Sequence, residues 1–169
     1  MVLFPRIFSI AAQANLQPSL FLLAPTYREQ SNEHSHLATF RAQLLGGRRV
    51  VYCKIEHVVA YVESLGIKPT MKDVCAFMKE LNVDQAKEFQ LKCGPIYHAI
   101  VNAGDVLFVP PGWVTNEGVI GKNPCVGVRL QSLSASDFVD IETLETIFRE
   151  KFQKPNERLV MIKDYILLA

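Results

Sequence analysis

No two cysteines in this 169-residue chain are close enough to form a CxxC pair: Cys53, Cys75, Cys93 and Cys125 stand far apart. Structural zinc sites draw on close ligand pairs, so the zinc-finger and zinc-ribbon classes are set aside. A long apolar run is missing too. Gln13, Asn15, Gln17 and Pro18 interrupt the apolar stretch that ends at Ala12. A spanning helix needs about 20 mostly apolar residues, and residues 1–24 fall short of that and of a secretory signal. Scattered thiols without a signal fit reduced cysteines, so an intracellular location, cytoplasmic or nuclear, is expected. Neither charge dominates, with 18 Lys+Arg against 17 Asp+Glu. A net charge of +1 gives no electrostatic reason to expect nucleic acid or an anionic membrane as partner. No repeat, low-complexity tract, Gly-rich phosphate loop or GxSxG elbow occurs, which removes the common nucleotide-binding and serine-hydrolase classes.

What is present suits one globular unit: 49% of residues are hydrophobic and 21% charged. Residues 19–24, closed by Pro25, read as a short buried strand, and 26–36 as a polar loop or strand edge. From Ala38 to Cys53 the pattern is that of a hairpin. Phe40, Ala42 and Leu44 alternate with Arg41 and Gln43, Gly46-Gly47 makes the turn, and Val50-Val51-Tyr52 returns. Ile55, Val58, Val59, Val62 and Leu65 recur at helical spacing up to Gly66. Thr70 with Asp73 resembles a capping box opening a second helix, and residues 84–91 add a turn or two. Val106-Leu107-Phe108-Val109 is a continuous apolar run, as expected of a strand buried on both faces, and Pro110-Pro111-Gly112 stops it. Val126, Val128 and Leu130 mark a last strand. Helices follow over 138–152, capped by Ser136, and over 157–168. The order of strands, helical insertion, strands and helices predicts an α+β protein with a mainly β core. About seven strands can be counted.

Two segments carry a family resemblance. Ala42-Gln43-Leu44-Leu45-Gly46-Gly47-Arg48-Arg49 and Ala103-Gly104-Asp105 through Pro110-Pro111-Gly112-Trp113 resemble the cupin-type JmjC domains. These are iron(II)- and 2-oxoglutarate-dependent oxygenases that hydroxylate or demethylate proteins. The resemblance implies a double-stranded β-helix barrel over 1–135, with a helical insertion at about 55–91 and a helical tail over 136–169. Eight strands are usual in that barrel, so the first pair is expected to be absent or irregular. The family's iron sits on a facial triad of two imidazoles and a carboxylate. By family spacing its positions fall on Glu33, Ser35 and Thr115, which is not a ligating set. The residue that grips the far carboxylate of 2-oxoglutarate falls on Arg48, and a small polar position falls on Thr39.

A one-residue slip would instead present His34 and His36, with Glu117 or Glu33 completing a metal site. The alternative is that both histidines are solvated loop residues. Arg48-Arg49 reads either as an anion grip or as alternating strand residues, one inward and one outward. The resemblance thus implies a catalytically degenerate JmjC-like protein acting as a binding or assembly module, without cofactor. An active oxygenase using iron(II) and 2-oxoglutarate, or a metal-free cupin holding a small ligand, are the alternatives. Apolar faces on the tail helices point either to a homodimer or other protein partner, or to packing on the insertion helices. Neither nucleic acid nor a membrane is expected as partner.

Overall fold

The computed structural model describes residues 18–24, 33–34 and 36–168, of which 33, 34, 135 and 165–168 by their backbone alone. Expectations for residues 1–17, the loop 26–32 and Ser35 lie outside the described residues.

Eight strands form two four-stranded antiparallel sheets. β1 (Ser19–Leu23), β8 (Cys125–Ser132), β3 (Ala38–Leu45) and β6 (Val106–Val109) form one sheet, in the order β1-β8-β3-β6. β2 (Glu33–His34), β7 (Trp113–Ile120), β4 (Gly47–Lys54) and β5 (Tyr97–Asn102) form the other, in the order β2-β7-β4-β5. These two orders are those of a jelly roll, the double-stranded β-helix of cupins. The fold is therefore an α+β cupin-type barrel. The first strand pair is present, β2 being two residues long.

Residues 38–53 do not form a hairpin. β3 pairs with β6 and β8, whereas β4 pairs with β5 and β7. Gly46 carries the chain from one sheet to the other at φ +74°, a left-handed conformation that favours glycine. A Cβ at Gly46 would also run into the Pro124 carbonyl. Strand alternation specifies faces but not partners, which is why a crossing between sheets imitates a hairpin in sequence.

Between β4 and β5 lie α1 (Ile55–Ser64), α2 (Met71–Glu80) and α3 (Val83–Lys92). The capping box at Thr70 forms: Asp73 donates its backbone N–H to Thr70 Oγ1, and Thr70 donates its own to the Asp73 carboxylate. Asn82 and Gln85 form a second box that makes α3 a full ten-residue helix, longer than its sequence suggests. After β8 come α4 (Phe138–Thr146), a π-helical turn at Ile147–Lys151 and α5 (Glu157–Leu168).

The tail does not stand apart from the insertion. Val58, Val74, Met78 and Phe89 share one core with Ile141, Leu144, Leu159 and Ile162. Each such side chain contributes roughly 1.5–3 kcal/mol by leaving water. Cys53, Val114 and the partly buried Val51, from sheet β2-β7-β4-β5, join the same core, so the helices cover the outer face of that sheet. Asn116 fixes the contact by donating from Nδ2 to the Met78 carbonyl at 2.6 Å.

The other sheet is arranged differently. β1 was expected to be a short buried strand and β6 to be buried on both faces, but Leu20 is 77% and Val106 62% exposed. Apolar residues occupy both faces of β6 because one lines the barrel while the other is left uncovered.

Candidate functional site in the barrel interior

Alternation decides what enters the barrel. On β3, Thr39, Arg41 and Gln43 are buried and face inward, whereas Phe40, Ala42 and Leu44 face outward. On β4, Arg48 and Val50 are buried while Arg49 is exposed, so the two adjacent arginines do separate into one inward and one outward. β7 sends Thr115 and Glu117 inward and Val114 and Asn116 toward the helices.

One end of the interior is apolar, with Val50, Val101, Leu107 and Val109 packed beside Tyr52 and Trp113. Tyr52, Tyr97 and Trp113 pack pairwise at centroid distances of 5.5–5.6 Å, the two tyrosines stacked and Trp113 tilted against both, so Trp113 has a packing role.

The remainder is polar and centres on Glu117. Arg41 Nη1 donates to Glu117 Oε1 from across the barrel. Arg48 Nη1 donates to Glu117 Oε2 at 2.5 Å. All three side chains are 4% exposed or less. The Arg48 guanidinium also lies 4.8 Å from the Phe21 ring centroid, and its Nε and Nη2 have no hydrogen-bond partner among the described residues. Phe21 reaches that position because Gly127 leaves room: a Cβ there would collide with the Phe21 ring and the Ala42 carbonyl. Arg129 lies directly opposite Arg41 in the β3–β8 ladder, which adds a third cation at the same parity. Among the described residues, Glu117 is the carboxylate that both Arg41 and Arg48 grip. Removing those groups from water is tolerable only while the ion pairs stay intact.

The residues expected from sequence are distributed as follows. Arg48 and Glu117 are brought together, as an ion pair. Thr39 is buried on the same barrel face as Arg41, its hydroxyl donating to the Leu37 carbonyl at 3.1 Å. Glu33 pairs with Thr115 and His34 with Val114 in the β2–β7 ladder, which is the register without a slip. The side chains of Glu33 and His34 lie outside the described residues. His36 is drawn to the tail, with its Nε2 3.0 Å from Asn156 Nδ2 and its ring 5.8 Å from Phe148. Among the described residues no three His, Cys, Asp or Glu side chains come together to hold a metal. With both Glu117 oxygens on arginines and a hydroxyl at Thr115, the described donor set does not fit iron(II).

Arg41 was not singled out from sequence. Its signal was parity: it stands two residues from Thr39, a position the resemblance already assigned to the site.

Burial pushes the Cys53 thiol up to about 12, and burial also raises Cys75, Cys93 and Cys125. A reactive thiol requires the opposite shift. No helix among the described residues is long and apolar enough to cross a membrane.

No protein-family model and no curated protein matches the chain. Solved structures do resemble it. The Drosophila melanogaster CENP-C domain bound to CAL1 is 9% identical at a TM-score of 0.42, over 68% of this chain and 64% of that one. The dTDP sugar isomerase of Desulfovibrio desulfuricans is 13% identical at 0.41, over 68% and 55%. RmlC of Streptococcus suis, in complex with dTDP-D-xylose, is 12% identical at 0.42, over 75% and 48%. The chain thus spans about half to two thirds of their lengths. The cupin-type fold rests on the strand order itself.

Proposed function

We propose that this chain is a catalytically degenerate JmjC-like cupin that keeps the barrel as a binding or assembly module. The observation that supports it is the placement of Glu117. The arginine at the position of the family's 2-oxoglutarate grip, Arg48, already holds a carboxylate, and that carboxylate belongs to the protein. Arg41 holds its other oxygen. A cosubstrate carboxylate seeking Arg48 would have to displace a buried ion pair, whose disruption costs roughly 3–5 kcal/mol. A metal seeking Glu117 would have to compete with two guanidinium groups.

Anaerobic calorimetric titration with iron(II) or manganese(II), with and without 2-oxoglutarate, tests this reading. No heat of binding and no shift in melting temperature are expected. Metal binding that strengthens with 2-oxoglutarate and is lost in His34→Ala/His36→Ala would overturn it in favour of an active oxygenase.

A further inference from the structure

His36, just ahead of β3, meets the tail at Asn156, and the chemistry of that contact fixes a protonation state. Asn156 stands immediately before α5 as its N-cap, and its side-chain oxygen accepts from the Leu159 backbone N–H at 3.4 Å. The amide nitrogen of Asn156 therefore faces His36, 3.0 Å from Nε2. An amide nitrogen donates, so Nε2 accepts, and a histidine that accepts at Nε2 is neutral with its proton on Nδ1. Turning the amide over would set its NH2 against the N–H of Leu159, donor against donor. The surroundings oppose a charge on the ring as well. The contact lies at the N-terminus of α5, the positive end of the helix dipole. Phe148 closes on the half-buried ring at a centroid distance of 5.8 Å and takes water away from it. Of the charged side chains on α5 and the π-helical turn, Arg158 is the partly buried cation of the first turn, and it adds to the positive potential there. Glu157 and Asp164 are exposed, Lys163 and Arg149 are held on Glu145, Glu150 on Arg149, and Lys151 on Glu63.

We infer that His36 and Asn156 form an acid-sensitive latch, in which protonation of the imidazole opens the contact and releases α5 from the body of the protein. A proton on Nε2 turns a donor toward the Asn156 NH2, and the two groups repel. Asn156 meets the imidazolium with its oxygen only by uncapping α5. The helix so loosened carries Leu159 and Ile162, both buried in the core shared with the insertion helices, so release uncovers apolar surface that is hidden at neutral pH. The docked tail requires a neutral His36, whereas in the released tail the ring takes up its proton at its ordinary value, about pH 6.5. Docking is therefore fully present above that value and weakens below it. At pH 5.5 the balance moves toward the released form by about tenfold relative to pH 7.5. Glu145 does not contribute in this interval, because the Lys163 hydrogen bond holds its carboxyl below the usual carboxylate range. The latch lies outside the barrel interior and is independent of how the barrel functions.

Amide hydrogen exchange of the full chain tests it, read over residues 157–164 and corrected for the intrinsic pH dependence of exchange. Protection there should fall about tenfold between pH 7.5 and pH 5.5, while β4 and β7 keep theirs. In His36→Gln, whose amide oxygen accepts at either pH, the fall should disappear. Asn156→Asp is the second variant, should the first fail to fold. It keeps the cap and offers His36 a carboxylate, so acid should strengthen protection of the tail instead of weakening it. An NMR titration of the His36 ring should place its midpoint below 6.5 in the wild type. Equal protection of the wild-type tail at both pH values overturns the proposal, as does a His36 midpoint at or above 6.5. A loss of protection that persists unchanged in His36→Gln, or in Asn156→Asp, also overturns it, since another group would then be the one that titrates.

Discussion

Arg41 and Glu117 come from opposite sheets and meet inside the barrel, so one ion pair ties the two layers together at a point where neither group sees solvent. Arg48 closes the other side of the same carboxylate from the strand next to Glu117's own. The carboxylate is therefore the keystone of the polar interior.

Glu117→Ala removes the carboxylate that both buried guanidinium groups grip. It should lower unfolding stability by about 3–5 kcal/mol, read by urea denaturation. The loss in Arg48→Ala/Glu117→Ala should be smaller than the sum of the two single losses, because the pair leaves together. Strictly additive losses would show that the two side chains do not interact.

Gly127→Ala places a methyl against the Phe21 ring and the Ala42 carbonyl, and the carbonyl belongs to a paired strand that cannot retreat. The expected cost is roughly 1–3 kcal/mol, typical of overpacking. Phe21→Ala in the same chain should recover part of it. Unchanged stability in Gly127→Ala would mean that Phe21 does not lie on the glycine.

Glu145 ties the tail together, accepting from Lys163 at 2.9 Å and from Arg149 at 2.8 Å. The Lys163 hydrogen bond, opposed by burial and reinforced by the Arg149 charge, holds its carboxyl below the usual range. A carboxyl depressed on folding contributes stability that is fully present above its unfolded value, about pH 4.3. That stability is lost as the pH falls through the folded value. Melting temperature measured from pH 7 to pH 3 should therefore fall less steeply in Glu145→Gln than in the wild type. Parallel curves would remove Glu145 from the acid transition.

Much of this molecule was legible because local signals are local. Thr70 and Asp73 announce a capping box, and the spacing from Ile55 to Val62 announces a helix; both form where expected. The barrel was legible through the resemblance over residues 42–49 and 103–113. What sequence could not give is pairing. Phe40-Arg41-Ala42-Gln43-Leu44 reads equally well with either set inside, and apolar-inward is the ordinary choice. Here the arginine side goes in because Glu117, far along the chain, receives it. The same inversion left β1 and β6 exposed on one face. Glu117 drew attention in sequence only as a metal candidate; that two arginines hold it instead depends on contacts 69 and 76 residues apart.

The placement of the helical insertion has a consequence for how the chain folds. Every ladder in both sheets joins a strand that precedes α1–α3 to a strand that follows them. The leading four strands thus have no hydrogen-bonding partners among themselves, nor do the trailing four. Neither half can form a sheet alone, and during synthesis the first half must wait for residues 97–132 before any ladder closes. The helices between them, built from local contacts, can form early. The sheets then assemble late and together, at the slow, millisecond-to-second end of the range set by non-local pairing.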